Sequence, residues 1–241
     1  MMEKGMKIVK RTIVFVLLSV MIGSLFGCAS MELKDYVPSD EKYFSFTEIS
    51  GELEDGSNGV VGYSVKKNAA EELPETLNIP AEYQGKPVTA IDDNAFNGTA
   101  LKSVCIPSSV KTVGESAFAD CLSLEKVFFY SGKTGCTEIG NSAFAHCAAL
   151  TELTMPKTLV KIGDFAFNFC GIKSIEIPRP VEEIGKYAFA FCSSLEKVEI
   201  AVKLKIVGEN AFAQCAENMV MIVAKSNPYF YAENGTLVPR G

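Results

Sequence analysis

The dipeptide Ala-Phe recurs six times, as Ala95-Phe96, Ala117-Phe118, Ala143-Phe144, Ala166-Phe167, Ala188-Phe189 and Ala211-Phe212. The phenylalanines stand 22, 26, 23, 22 and 23 residues apart. A unit of that length buries an apolar face only by stacking on copies of itself. The chain from about residue 88 to residue 218 is therefore expected to be a solenoid of six coils.

The partner positions recur with the dipeptide. Five residues before each Phe stands Ile91, Val113, Ile139, Ile162, Ile184 or Val207, followed by Gly in every copy but the first, which has Asp92. Three residues after each Phe stands Cys121, Cys147, Cys170, Cys192 or Cys215, with Thr99 in the first copy. Between the Ala-Phe units run Leu101/Val104/Ile106, Leu124/Val127/Phe129, Leu150/Leu153/Met155, Ile172/Ile175/Ile177 and Leu195/Val198/Ile200. The last two of each set alternate, so they share one face of a short strand. Pro107, Pro156 and Pro178 end strands, because proline brings no N–H to a ladder. A second short extended piece precedes each Gly, and the Ala-Phe segment then forms a tight helical or 3₁₀ turn.

Stacking places Phe on Phe and Cys on Cys. Phe96, Phe118, Phe144, Phe167, Phe189 and Phe212 are the expected core column, and each buried ring contributes about 1.5–3 kcal/mol. Cys121, Cys147, Cys170, Cys192 and Cys215 form a second column. No CxxC or His-containing ligand spacing accompanies them, so they read as small buried hydrophobes rather than metal ligands. The pattern contains no metal or cofactor motif. The long step to Phe144 comes mostly from Tyr130–Gly135, an enlarged corner. The other differences, of one residue, fall between Phe and the following Leu.

The ends differ from the repeat. Lys4, Lys7, Lys10 and Arg11 precede an apolar run from Thr12 to Phe26, which reads as a signal sequence over residues 1–27. Leu25-Phe26-Gly27-Cys28 resembles a bacterial lipobox. That resemblance makes Cys28 the lipidated mature N-terminus, residues 28–40 a tether, and a lipid anchor the contact with the membrane. The last residues, 237–241, resemble an appended thrombin cleavage site and are left out of the expected fold. Without the basic leader and Arg240, residues 28–236 carry 18 basic and 28 acidic side chains, a net charge of −10. Such a surface repels nucleic acid.

The motif I-G-x-x-A-F-x-x-C-x-x-L, with strand and proline after it, resembles the BspA-type (Treponema-type) leucine-rich repeat family. The resemblance implies a right-handed leucine-rich-repeat solenoid of short strands, with an N-terminal cap and partial first coil over 41–87. It implies a closing strand at Val220–Val223 and a helical cap near Tyr231–Gly235, within a cap over 219–236. It also implies a secreted or surface-anchored bacterial protein, and adhesion to a host matrix protein or another bacterial surface protein as its role.

Candidate binding residues lie where the repeat leaves positions free. Outward strand positions include Lys126, Phe128, Thr154, Glu176 and Glu199, with Tyr130 beside the enlarged corner. Phe128 and Tyr130 either present aromatic surface or lie beneath that corner. Glu176 and Glu199 are stacked like charges. Phe165, Phe169, Tyr187 and Phe191 flank the core Phe at matching offsets, and form either an exposed patch or a thickened core. Cys105 should face outward between Val104 and Ile106. His146 occupies a variable slot with no implied catalytic partner, and adjacent Glu182 and Glu183 face opposite ways in an extended segment. Neither implies an active site. A protein-recognition module is the leading expectation, and a structural spacer or envelope-complex subunit the alternative.

Overall fold

The structure, a computed structural model, describes residues 36–130, 132 and 134–240. A 3₁₀ turn at Glu41–Tyr43 leads into β1 (Phe44–Glu52), β2 (Asn58–Lys67), β3 (Thr76–Asn78), β4 (Glu82–Tyr83) and β5 (Lys86–Ile91). The repeat follows as β6 (Ser103–Ile106), β7 (Thr112–Val113), β8 (Lys126–Phe129), β9 (Glu138–Ile139), β10 (Glu152–Thr154) and β11 (Lys161–Ile162). It continues as β12 (Ser174–Ile177), β13 (Glu183–Ile184), β14 (Lys197–Ile200) and β15 (Ile206–Val207). The chain closes with β16 (Val220–Val223), β17 (Phe230–Glu233) and β18 (Thr236–Pro239).

Each coil contributes a longer strand, a two-residue strand and an Ala-Phe turn. The end of β5 and the two-residue strands β7, β9, β11, β13 and β15 form one uninterrupted parallel ladder, extended at its start by the antiparallel β1–β2 pair. The longer strands do not. They divide into β3-β6-β8-β10 and β12-β14-β16, so the ladder is interrupted between β10 and β12.

The core follows the repeat columns. The rings from Phe96 to Phe212 stack at 5.2–5.4 Å with near-parallel planes. All but the terminal Phe212 are fully buried. The Gly after each β-branched residue has a cause other than turn geometry. A Cβ on Gly163 would stand 2.7 Å from the Asn141 backbone nitrogen, so glycine here admits close coil-to-coil approach.

Three expectations are corrected. The Ala-Phe segments are not helical. In every coil the residues two before and two after the Phe have φ between +53° and +65°, for example Ser116, Asp120, Phe165 and Phe169. Only this reversal lets every second N–H point at the next coil, as in Phe165 N–H to Lys186 O (2.8 Å), Phe167 N–H to Ala188 O (2.7 Å) and Phe169 N–H to Ala190 O (3.0 Å). The turns thus carry a third ladder, which a helix would forbid by turning its N–H groups along its own axis.

The second correction concerns the C-terminal cap, which is a β-hairpin and not a helix. β17 and β18 pair antiparallel around Asn234 and Gly235, both at positive φ (49° and 74°). Asn-Gly is the residue pair such a two-residue turn demands. The third concerns residues 237–241. Leu237, Val238 and Pro239 lie in β18, and Arg240 donates through Nε to the carbonyls of Asn227 and Phe230, both at 3.1 Å. Residues 237–240 therefore pack as part of the fold, since the hairpin needs its second strand.

Candidate recognition surface

The turn side of the solenoid holds two slots per coil with left-handed backbone. The slot before the core Phe is filled by Asn94, Ser116, Ser142, Phe165, Tyr187 and Asn210. The slot after it is filled by Gly98, Asp120, His146, Phe169, Phe191 and Gln214. Gly, Asn and Asp adopt this conformation readily, whereas an ordinary L-residue pays about 1–2 kcal/mol. Phe165 (φ 57°), Phe169 (φ 58°), Tyr187 (φ 54°) and Phe191 (φ 60°) are large side chains in a conformation that disfavours them.

Reversed backbone also turns these side chains out of the core. Phe165, Phe169 and Phe191 are 41%, 44% and 40% exposed, while Phe167 and Phe189 between them are fully buried. The exposed rings form two short columns. Phe165 stacks on Tyr187 at 5.1 Å, and His146, Phe169 and Phe191 stack in series at 5.0 and 4.6 Å. Asn210 Nδ2 donates to the Tyr187 hydroxyl at 2.9 Å, fixing the tip of that ring. Such stacking returns about 0.5–1.5 kcal/mol per pair, comparable to the backbone cost. The columns therefore add little to stability, and they leave contiguous aromatic surface in water, which marks interaction sites. His146 is one end of this column. Its ring lies on Phe169, and no nucleophile is hydrogen-bonded to it among the described residues.

The outward strand face is different. Phe128 and Tyr130 are both 7% exposed and form a small second core with Cys105. The reading of Phe128 and Tyr130 as exposed binding residues is thereby corrected, and Cys105, expected to face outward, is buried beside them. Tyr36 packs over them, its ring meeting that of Tyr130 edge-on at 5.0 Å. Ser39 and Asn78 hold this N-terminal strap on β3 through reciprocal backbone and side-chain bonds of 3.0 Å, and Asn78 Nδ2 donates to Val37 O at 2.7 Å. Of the polar candidates, Lys126 pairs with Glu152 on the next coil at 2.8 Å. Thr154 and Glu176 are exposed across the ladder interruption. Glu176 and Glu199 are register partners as expected for stacked charges, and Lys197 neutralises Glu199 at 2.6 Å.

The cysteine column is core, with one further role. Each thiol donates to the carbonyl of the Phe one coil earlier: Cys121 to Phe96, Cys147 to Phe118, Cys170 to Phe144, Cys192 to Phe167 and Cys215 to Phe189, at 3.1–3.3 Å. Thr99, which fills the slot in the first coil, donates its hydroxyl to the same Phe96 oxygen at 2.8 Å. The position selects a small side chain with one donor. Burial pushes these thiols upward in pKa, Cys192 to about 12 and the half-buried Cys215 to about 11. All seven described cysteines are unbridged, and no cluster of His, Cys, Asp or Glu suited to a metal occurs among the described residues. No described helix is long and apolar enough to cross a membrane, and both the apolar run Thr12–Phe26 and Cys28 lie outside the described residues.

Comparison with known proteins agrees with this geometry. A family model described as the BspA type leucine rich repeat region matches in six copies over residues 75–134 and 131–232. The solved structure of a leucine-rich repeat protein from T. pallidum is 28% identical, with a TM-score of 0.65 over 78% of this chain and 82% of that one. A leucine-rich repeat protein from Bacteroides ovatus is 27% identical (TM-score 0.51), covering 71% of this chain and 49% of its own. A leucine rich cell surface protein from Faecalibacterium prausnitzii shares the fold at 22% identity (TM-score 0.56), covering 85% of this chain. The chain spans about half of the Bacteroides protein and 59% of the Faecalibacterium protein. No curated protein matches the sequence.

Proposed function

Since the chain belongs to the BspA-type leucine-rich repeat family, we propose that it is an envelope-anchored recognition module, which grips a protein partner with the aromatic columns of its turn side. The observation that carries this reading is the placement of Phe165, Phe169 and Phe191, with the half-buried Tyr187 stacked on Phe165, at left-handed positions where the three phenylalanines are exposed and gain the fold little. Side chains kept against local preference and in water are side chains kept for contact. Aromatic anchors on a rigid scaffold bind at low entropic cost. The lipobox-like Leu25–Cys28 supports attachment to a membrane through Cys28, and the acidic surface favours a protein partner over nucleic acid.

The test is binding of the mature chain to a panel of host matrix proteins and bacterial surface proteins. Saturable binding should fall about 30-fold or more in the double variant Phe169→Ser/Phe191→Ser, the loss expected of a central aromatic anchor. A folded double variant that binds undiminished would move the contact elsewhere. Attachment is tested by mass spectrometry of the mature N-terminus: acylated Cys28 supports it, and an unmodified Cys28 with the leader still joined refutes it.

A further inference from the structure

The interruption between β10 and β12 has no counterpart elsewhere in the described repeat. On either side of it the longer strands pair in strict register, Glu152–Thr154 with Lys126–Phe128 and Ser174–Ile177 with Lys197–Ile200. Across it no ladder forms, although β11 and β13 of the same two coils are paired and Phe167 and Phe189 stack at 5.2 Å. The coils are thus in contact on two sides and parted on the third. Gly171 enters β12's coil with its backbone against that of Ala148, where a Cβ would stand 2.4 Å from the Ala148 oxygen. The link from Phe167 to Ile172 is one residue shorter than those from Phe144 and Phe189, yet the equally short link from Phe96 to Leu101 leaves β3 and β6 paired. Length alone does not open the gap.

What opens is a cleft of about 610 Å³, a volume typical of small-ligand sites. Its lining includes Leu153 and Met155, core positions of the repeat that are only half-buried here, with Ile175 facing them. Thr154 and Glu176 stand at the rim, and Lys157 and Arg179 at the end where both strands finish. Two parallel strands therefore offer backbone edges to one apolar slot that ends in two cations.

We propose that this cleft binds an extended peptide, with its main chain on the open edges of β10 and β12 and a carboxylate at Lys157 and Arg179. An apolar chain alone would cover the edges and leave their N–H and C=O groups desolvated without partners, which is costly. A peptide strand satisfies those groups and places alternate side chains into the slot and out of it, the mode of strand addition. Running parallel to β10 and β12, it ends beside Lys157 and Arg179, whose charge suits a terminal carboxylate or an acidic side chain. About three to four residues fit strands of this length. The site is separate from the aromatic columns and does not depend on their role.

The experiment is hydrogen exchange of the full mature chain with a pool of N-acetylated tetrapeptides bearing Val, Ile or Leu at alternate positions and a free C-terminal carboxylate. The pool at millimolar concentration should protect amides of β10 and β12. The C-terminally amidated pool should need about tenfold more for the same protection, and an N-methylated pool should give none. Lys157→Ala/Arg179→Ala should abolish the difference between carboxylate and amide, while Phe169→Ser/Phe191→Ser should leave protection unchanged. Absence of protection, equal protection by all three pools, or equal protection by dodecanoate would each overturn the proposal, the last by making the occupant an acyl chain. Protection that rises with protein concentration alone would assign the edges to a second copy and overturn it as well.

Discussion

The Sγ–H of Cys170 donates to the carbonyl oxygen of Phe144 at 3.1 Å across a separation of 26 residues. The bond ties a side chain of one coil to the backbone of the previous one, at the point where the core ring enters. Cys170→Ala removes the donor and leaves a small void, and should cost about 1–2 kcal/mol. Cys215→Ala, at the half-buried end of the column, should cost less than about 1 kcal/mol. Urea midpoints of the two variants check the order, and equal losses would contradict a role set by depth in the column.

The same burial predicts an alkaline weakness. Cys136 and Cys192 are raised from an ordinary value of 9.0 to about 12, chiefly by desolvation of the thiolate. Below pH 9 folded and unfolded chains both hold the proton, and stability is unaffected. Above it the unfolded chain loses the proton and the folded chain keeps it, so stability falls by about 1.4 kcal/mol per pH unit for each thiol until the folded value is passed. The urea midpoint should be flat from neutrality to pH 9 and fall steeply towards pH 10.5. Cys192→Ala should reduce the slope.

Phe167 and Phe169 are two residues apart and should respond oppositely. Phe167→Ala empties a fully buried place between two stacked rings and should cost about 3–5 kcal/mol. Phe169→Asn loses an exposed stack but relieves a left-handed Phe, and should stay within about 1 kcal/mol of the parent. Thermal and urea unfolding measure both. A large loss from Phe169→Asn would make the exposed columns part of the scaffold.

Tyr36 closes the small core over Cys105. Tyr36→Ala should make Cys105 react with a soluble disulfide reagent at pH 8, at a rate far above that of the parent chain. Among the described residues the buried Tyr36 hydroxyl has no hydrogen-bond partner, and burial raises its pKa. Tyr36→Phe should therefore keep Cys105 protected and hold or gain about 1 kcal/mol. Labelling followed by peptide mapping distinguishes the two variants.

The periodic positions were legible because each depends only on the phase of its own coil. Ile162, Phe167 and Cys170 recur at fixed offsets, so stacking alone buries them, and their columns lie where the repeat places them. The Asn234-Gly235 turn is equally legible as a hairpin signal, because both residues take up positive φ readily. Phe128 and Phe169 show the opposite case. Both are aromatic residues at non-core positions, and nothing local separates them.

By itself the sequence determined the stacked coil, its core columns and the acidic character of the chain, since periodicity and composition act at every copy alike. Tertiary structure decided which aromatics meet water. Phe128 is covered because Tyr36, far away in the chain, docks over it, and Phe169 is exposed because its backbone turns left-handed to bond the next coil. Tertiary structure also decided that the ladder parts between β10 and β12. Each outcome depends on how one segment settles against another, and the repeat period carries no record of that.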